Sequence, residues 1–271
     1  MSSFDKALAI FDLFREDCIS VHVEDVVEKL DISRATAYRY LASLSEAGLL
    51  SPTSRGTYVL GPRIIELDRM MRIHDPLLTA GRVVMEETSH RLGMNMLLAS
   101  YYRDGIMCVD IAWPDASIVQ VYERGRPMSL FRGAMAKIIL AYLSPYQLRN
   151  VALHHTEEIR AAGLGADWPA FRAEMAKIAR EGTCITRGEL WVGALGISAP
   201  VFDPDRKILG SITFAMSEER LSASDAQQLR AEIVEVSQRI TALIAEQVEQ
   251  TDSPATTPAT GRVANTTPTS D

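Results

Sequence analysis

The sequence predicts an α+β chain of two domains: a small, mostly helical N-terminal unit that ends in a two-stranded wing, and a larger unit with an antiparallel sheet flanked by helices. Three observations carry this. Residues 21–50 read as two amphipathic helices around one tight turn, with two short strand patterns after them. Residues 94–216 alternate period-two runs with helical runs. At 271 residues the chain has room for both, a unit of about 60 residues beside one of about 175, within the usual domain range.

Taken in order, Phe4, Leu8, Ile10, Phe11 and Phe14 form a first helix that is apolar on more than one stripe. A domain of this size cannot cover that surface alone, so contact with a second copy is the expected use. Val23, Val26, Val27 and Leu30 then recur at three- and four-residue steps, as do Ala37, Leu41, Leu44 and Ala47. Each helix therefore has one buried stripe, and the two stripes can share a core. Asp31, Ile32 and Ser33 leave space only for a short turn, with Ser33 placed to cap the next helix.

That second helix projects Ser33, Arg34, Thr36, Tyr38 and Arg39 away from its apolar stripe. Hydrogen-bonding side chains on the first turns of an exposed helix are the groups that reach base edges and phosphates in a major groove. Arg34 and Arg39 suit bidentate pairing with guanine, and Thr36 suits a thymine methyl or a phosphate. Gly48 closes the turn, and residues 49–51 and 57–60 are wing strands joined by Pro52, Thr53, Ser54, Arg55 and Gly56, with Arg55 at the tip.

The whole chain is acidic, net −7, whereas a DNA-binding surface needs local positive charge. The distribution supplies it. Up to residue 32, Asp5, Asp12, Glu16, Asp17, Glu24, Asp25, Glu28 and Asp31 outnumber Lys6, Arg15 and Lys29; over residues 33–63, Arg34, Arg39, Arg55 and Arg63 face Glu46 alone. The bland alternative is a helix pair with surface arginines that serves only packing.

Pro62 opens a helical segment in which Ile64, Ile65, Leu67, Asp68, Met70 and Met71 are interspersed with Arg63, Arg69 and Arg72. Its basic flank is a candidate for phosphate contacts, with a solvated linker helix as the alternative. Asp75–Pro76 is the next helix start, an acidic cap before proline. The expected partition is 1–62 for the winged unit, 63–75 for the linker helix, 76–250 for the larger domain and 251–271 for a Thr-, Pro-, Ala- and Ser-rich disordered tail.

In the larger domain, residues 94–102 and 106–112 read as strands around an Asp104–Gly105 turn, and residues 118–121 as a further short strand. Ser144–Pro145 with Gln147 is a capping box, Asp167–Trp168–Pro169 opens another helix, and Ser222 with Asp225 starts the last. Residues 193–202 and 208–216 form a hairpin around Asp203, Pro204 and Asp205. The final helix carries Leu229, Ile233, Val236, Ile240, Leu243 and Ile244 toward the core, with tetramer contacts as a second use.

A ligand pocket needs small residues that leave it open and a few polar groups. GALGIS (193–198) puts small residues on one strand, and Gly133, Ala134 and Ala136 open the helix after Arg132, whose free N-terminus near Gly133 suits a carboxylate. Other chemistry fares poorly. Cys18, Cys108 and Cys184 lack metal-ligand spacing and fit reduced thiols. His154, His155, Glu157 and Glu158 read as a solvated helix end rather than a metal site. Lys137, in principle a Schiff-base lysine, reads as a structural charge by the domain surface. There is no phosphate loop, dinucleotide glycine pattern, zinc-protease helix or nucleophile elbow, and no run long enough to cross a bilayer. No catalytic residue, metal or cofactor is expected, and the location is cytoplasmic.

The stretches FDKALAIFDLF (4–14), ISRATAYRYLASLSEAGLL (32–50) and TYVLGPRIIEL (57–67) resemble the winged helix-turn-helix domain of the IclR family of bacterial transcription regulators. PMSLFRGAMAKIILAYLS (127–144) and EGTCITRGELWVGALGISAPVFDPDRKILGSITF (181–214) resemble the family's effector-binding domain, which has a GAF-like fold. The resemblance runs from about residue 4 to about 248. It implies paired DNA-binding heads that read a near-palindromic double-stranded operator, in a homodimer or tetramer, and a small-molecule effector held by Ala134, Met135, Thr186, Ala194, Gly196, Thr213 and Ala215, with Met128 and Leu130 as an apolar wall. Phe131 stands where the family often has histidine, Thr186 where an acid often lies, and Gly196 where some members have cysteine. These departures point to a more apolar or aromatic ligand than a small keto acid. A ligand-responsive regulator is the leading reading; a small-molecule module or enzyme whose helix pair only mediates oligomerisation is the rival.

Overall fold

A computed structural model describes residues 2–102, 105–116, 122–220 and 223–252, and its contacts divide the chain into two compact units at the Thr79/Ala80 step. Asp104, the expected strand at 118–121, Ser222 and the tail from 253 lie outside the described residues, as does the side chain of Arg55.

The first unit begins with helix α1 (Ser3–Leu8), held by a Ser2–Asp5 capping box. The expected single first helix stops there and continues as a 3-10 turn, Ala9–Leu13. The tighter winding, three residues per turn instead of 3.6, brings Ile10 to full burial while Phe4 stays 71% exposed and Leu8 41%. Strand β1 (Val21–His22) leads into α2 (Val23–Leu30) and α3 (Arg34–Glu46), and the wing follows as β2 (Leu50–Pro52) and β3 (Thr57–Leu60). The wing has a third strand that the sequence did not signal, because two residues are too few to show a period: Val21 pairs antiparallel with Tyr58, giving the order β1-β3-β2. Asp31 ends α2 in the left-handed region at φ 49°, its N–H on the Val27 carbonyl, a conformation that aspartate tolerates better than most residues. One core joins the elements: Ile10, Val21, Val23, Val26, Ala37, Tyr40, Leu41, Leu44 and Leu50 are all buried. The wing is closed at its base by a backbone crossing. The Gly61 N–H donates to the Leu49 carbonyl at 2.8 Å and Arg63 N–H to the Gly48 carbonyl at 3.1 Å.

Helix α4 (Arg63–His74) buries none of its residues; Ile65, Leu67, Met70, Met71 and Ile73 are all exposed. Two of its three arginines are engaged within the helix, Arg63 with Glu66 at 2.5 Å and Arg72 with Asp68 at 2.7 Å. The basic flank is therefore partly neutralised by the helix's own acids.

The second unit is built on a six-stranded antiparallel sheet ordered β6-β5-β4-β9-β8-β7. Its strands are β4 (Asn95–Tyr102), β5 (Gly105–Ala112), β6 (Pro127–Met128), β7 (Cys184–Arg187), β8 (Ala194–Phe202) and β9 (Ile208–Ser217), and its helices α5 (Pro76–Leu92), α6 (Ala134–Ala141), α7 (Pro145–His154), α8 (Thr156–Ala161), α9 (Trp168–Glu181) and α10 (Ala223–Asp252). The helix starts at Asp75, Ser144 and Asp167 are capped as their residues dictate: each side chain accepts an N–H three residues on, at 3.0, 3.2 and 2.9 Å. Strand β7 and helix α8 are additions that the pattern did not show, being four and six residues long.

Side chains alternate across the sheet. A Cβ at Gly81 of α5 would lie 2.5 Å from the Leu98 side chain, so Leu98 faces α5, while Leu97 and Ala99 join the buried cluster of α6 and α9. Helix α10 packs on β8 and β9, where the Ser237 hydroxyl donates to the Pro200 carbonyl. The face under α6 is lined by small residues, which let that helix approach. Ser198 and Thr213 share a buried hydrogen bond of 2.7 Å there, and the Ser211 hydroxyl donates to the Met135 carbonyl at 3.3 Å.

Candidate DNA-reading surface and ligand cavity

On α3 the buried stripe is Ala37, Tyr40, Leu41 and Leu44, which leaves Arg34, Ala35, Tyr38, Arg39, Ala42 and Ser43 along the exposed face. Ser33 caps the helix by accepting the Thr36 N–H at 3.2 Å, and its hydroxyl meets the Thr36 hydroxyl at 2.9 Å. Both hydroxyls are thus fixed at the helix start, and Thr36 is half-buried. The Arg34 guanidinium pairs with Glu24 of α2 at 2.9 Å and lies 5.8 Å from the Tyr38 ring centre. The Tyr38 hydroxyl, and then the Glu24 carboxylate, raise its already high pKa. Arg39 has no ion pair among the described residues; it stacks over the Tyr40 ring at 5.6 Å, and the Tyr40 hydroxyl is itself tied to Ser3 at 2.6 Å. The helix therefore offers one cation held by an exposed acid and one held only by a ring.

The wing is ordered by side chains at its turn. Thr53 donates both its N–H, at 2.8 Å, and its hydroxyl, at 3.1 Å, to the Thr57 carbonyl, while the Thr57 hydroxyl meets His22 Nδ1 at 3.1 Å. Arg55 lies in the short 3-10 turn Ser54–Gly56 between the strands.

In the second unit a cavity lies between the α6 start, the sheet and the loop joining β7 to β8. It is lined by Leu97, Tyr122, Ala134, Met135, Thr186, Glu189, Leu190, Trp191, Ala194, Leu195, Gly196, Thr213 and Ala215. Seven of the nine residues proposed for an effector are among these; Met128 and Leu130 are not. Leu130 instead lines a separate hollow with Phe131, Arg132 and His155, and Met128 packs at the edge of the buried cluster. Phe131 also belongs to that second hollow, its ring 5.4 Å from His155, so it adds no aromatic surface to the cavity. The aromatic wall there is Tyr122 against Trp191, with ring centres 5.2 Å apart.

Two expectations about this site need correction. The N-terminus of α6 is not free: the Gly133 N–H donates to Glu189 Oε2 at 2.9 Å. Lys137 does not sit at the domain surface. It is 9% exposed, and its Nζ meets Glu189 Oε1 at 2.5 Å, because one helical turn places residue 137 beneath the end that Gly133 begins. Sequence reasoning missed Glu189, Leu190 and Trp191 altogether. Their signal was the pair of glycines around them, Gly188 and Gly193, which stand at φ +62° and +80° and mark a tight, glycine-hinged loop.

No group of three or more His, Cys, Asp or Glu side chains is placed to hold a metal among the described residues. His155 pairs with Glu158 at 2.6 Å across the break between α7 and α8. Burial pushes the Cys108 and Cys184 thiols up to about 12, so they stay protonated and unreactive at neutral pH. No helix among the described residues is long and apolar enough to cross a membrane.

Residues 3–54 match the family described as the IclR helix-turn-helix domain, and residues 73–242 match the bacterial transcriptional regulator IclR C-terminal family. The HTH-type transcriptional regulator KipR of Bacillus subtilis is 26% identical over 220 residues, covering 80% of this chain and 86% of its own. A protein from a Silicibacter species assigned as an IclR transcriptional regulator superposes with a TM-score of 0.77 at 24% identity, over 90% of this chain and 96% of its own. An IclR homologue from Microbacterium hydrocarbonoxydans, solved in complex with 4-hydroxybenzoate, superposes with a TM-score of 0.68 at 16% identity, over 92% of this chain and all of its own, 100%.

Proposed function

The chain belongs to the IclR family of bacterial transcriptional regulators, and from that premise we propose that paired copies read a near-palindromic operator through α3 while the cavity of the second unit holds a small aromatic or organic acid that controls them. The two family domains are the DNA-binding helix-turn-helix and the effector-binding domain.

The single observation that carries the DNA reading is the exposed face of α3, where the Arg39 guanidinium is bound by no acid among the described residues and Arg34 only by an exposed one. Exposed ion pairs contribute about 0–1 kcal/mol, so a phosphate or a guanine edge displaces Glu24 at little cost. Arg34, Tyr38 and Arg39 are assigned to base edges and phosphates, Ser33 and Thr36 to the capped helix start that phosphates approach, and Arg55 to the backbone beside the wing. Pairing of two copies is assigned to the exposed apolar residues of α1 and α4, Phe4, Leu8, Ile65 and Met71 among them. The dimer's two-fold axis would then set the half-site spacing.

For the effector, Tyr122 and Trp191 supply a flat apolar wall while Ala134, Ala194, Gly196 and Ala215 keep the space open. The 4-hydroxybenzoate in the Microbacterium homologue is a ligand of this kind. Binding would shift the paired heads between spacings that fit the operator and spacings that do not, which requires a coupling of only about 1–3 kcal/mol. No catalytic step is assigned to the chain, and its place of action is the cytoplasm, where its operator lies.

A mobility-shift titration against DNA flanking the protein's own gene tests this. A retarded band that weakens steeply with salt is expected, and Arg39→Ala should cost about 1–3 kcal/mol, roughly 5- to 150-fold in affinity. No salt-sensitive shift, or no loss when Arg34 and Arg39 are both changed to Ala, would leave the helix pair as an oligomerisation device.

A further inference from the structure

The cavity contains an acid of its own. Glu189 places one carboxylate oxygen on the Gly133 N–H at 2.9 Å and the other against Lys137 Nζ at 2.5 Å. Lys137 is 9% exposed, but the Glu189 side chain is 30% exposed. The buried cation and the helix end are thus fixed parts of the fold, whereas the acid that satisfies them arrives from the edge. It arrives on the loop between β7 and β8, which is bounded by Gly188 and Gly193 at positive φ and carries Val192 at 95% exposure.

Two further observations concern the space beside that acid. The free volume is about 30 Å³, well below the roughly 150 Å³ of a cavity that holds benzene, so an aromatic ring enters only when the loop carrying Leu190 and Trp191 moves. Thr186 also lines the cavity; the residue is 8% exposed, and its hydroxyl has no hydrogen-bond partner among the described residues. That hydroxyl lies 3.7 Å from where a side chain on Gly196 would begin, so it points at the cavity. That hydroxyl therefore has spare hydrogen-bonding capacity on the cavity side, where a ligand's polar group can meet it.

We infer that Glu189 is an internal substitute for a ligand's carboxylate: a monocarboxylate effector binds by exchange, taking the Gly133 N–H and Lys137 from Glu189, hydrogen-bonding Thr186 with a second polar group, and releasing the 188–193 loop. This rests on the reading of the cavity as the effector site. Its consequence is a threshold. The effector competes with an acid present at high local concentration, so its apparent affinity is lower than the anion site alone would give, and the displaced loop reports occupancy.

Glu189→Ala in the full chain removes a group equivalent to acetate, which provides a test independent of effector identity. Thermal unfolding of the variant should rise by several degrees in millimolar acetate and not in acetamide, while the wild-type protein responds to neither. Equal shifts with acetate and acetamide, or an acetate shift of the same size in the wild type, overturn the inference. Should Glu189→Ala fail to fold, Glu189→Gln keeps the shape, and calorimetric titration with benzoate should then give about ten-fold tighter binding than to the wild type, as a freed charged hydrogen bond implies, with benzamide unchanged. Benzoate binding by Glu189→Gln that is equal to or weaker than wild type, or absent from both, overturns it as well. Operator binding without ligand is outside both outcomes: its absence sinks the regulator reading and leaves the exchange standing, and a failed exchange leaves the regulator reading intact.

Discussion

The exposed face of α3 and the cavity beneath the β7–β8 loop both carry positive charge, but they hold it in opposite ways. On α3 the cations stand in water, Arg34 against the exposed Glu24 at 2.9 Å and Arg39 over a ring at 5.6 Å. In the cavity the cation is buried, and an acid from the same chain satisfies it at 2.5 Å. Solvent keeps the first arrangement weak and sensitive to salt. Burial makes the second dependent on a good partner at all times, since an unpaired buried charge costs several kcal/mol. On the proposed reading, one surface is ready for its ligand, whereas the other must give up an internal partner before it takes one. For a regulator this is a sensible division: searching DNA calls for a weakly committed surface, and responding to a metabolite calls for a committed one.

The largest effect that would separate the two regions is expected at Gly61. A Cβ there would lie 2.1 Å from the Gly48 carbonyl oxygen, and both partners of the clash are backbone, so neither can rotate away. Gly61→Ala should destabilise the winged unit by about 3 kcal/mol, at the upper end of overpacking costs. The expected result is loss of operator binding, with the helix signal of the first unit melting early, while ligand-dependent thermal shifts of the second unit persist. Simultaneous loss of both would mean that the two regions do not fold independently, and the contrast drawn above would fail.

The two regions also differ in how far the sequence disclosed them. The α3 face was readable because amphipathic spacing fixes which side of a helix is buried: once Ala37, Leu41 and Leu44 form the stripe, Arg34, Tyr38 and Arg39 must point elsewhere. Its charge state was less legible, since Glu24 reaches Arg34 from another helix and no local pattern reports that contact. Strands β4, β8 and β9 of the cavity followed from alternation and turn residues and its small residues from GALGIS, while β7, with Thr186, was named only through the resemblance. The loop that closes it did not. Glu189, Leu190 and Trp191 belong to no periodic element, and their positions depend on the Gly188 and Gly193 hinges and on where α6 begins. Phe131 shows the converse error, a residue given a bearing on the ligand by the resemblance that the fold turns toward His155 instead.

A medium effect is expected inside the cavity, at Gly196. An alanine Cβ there would meet Ala134, Thr186 and Thr213 at 3.5–3.7 Å, ordinary contacts that the fold can accept. A leucine would fill the remaining space. Gly196→Leu should reduce the affinity for a bound aromatic acid by more than about ten-fold, or 1.4 kcal/mol, in calorimetric titration, while operator binding in the absence of ligand stays within two-fold of the wild type. Unchanged ligand affinity would move the binding site away from this cavity.

The smallest effect compares one unpartnered hydroxyl in each region. Ser45 Oγ on α3 is buried with no hydrogen-bond partner among the described residues, and it lines neither of the hollows of the second unit. A buried hydroxyl without a partner costs about 1–3 kcal/mol in mutational data, and alanine is also the better helix former by a few tenths. Ser45→Ala should therefore stabilise the first unit by about 1 kcal/mol, read as a higher urea midpoint at an unchanged slope, with operator affinity unaltered. Thr186→Val makes the matching change in the second unit, removing a hydroxyl that faces the cavity at nearly constant volume. If that hydroxyl waits for a ligand, the two substitutions diverge: both are neutral or stabilising to the free protein, and only Thr186→Val weakens ligand binding. The same outcome at both positions would show that an unpartnered hydroxyl in this chain says nothing about where a ligand goes.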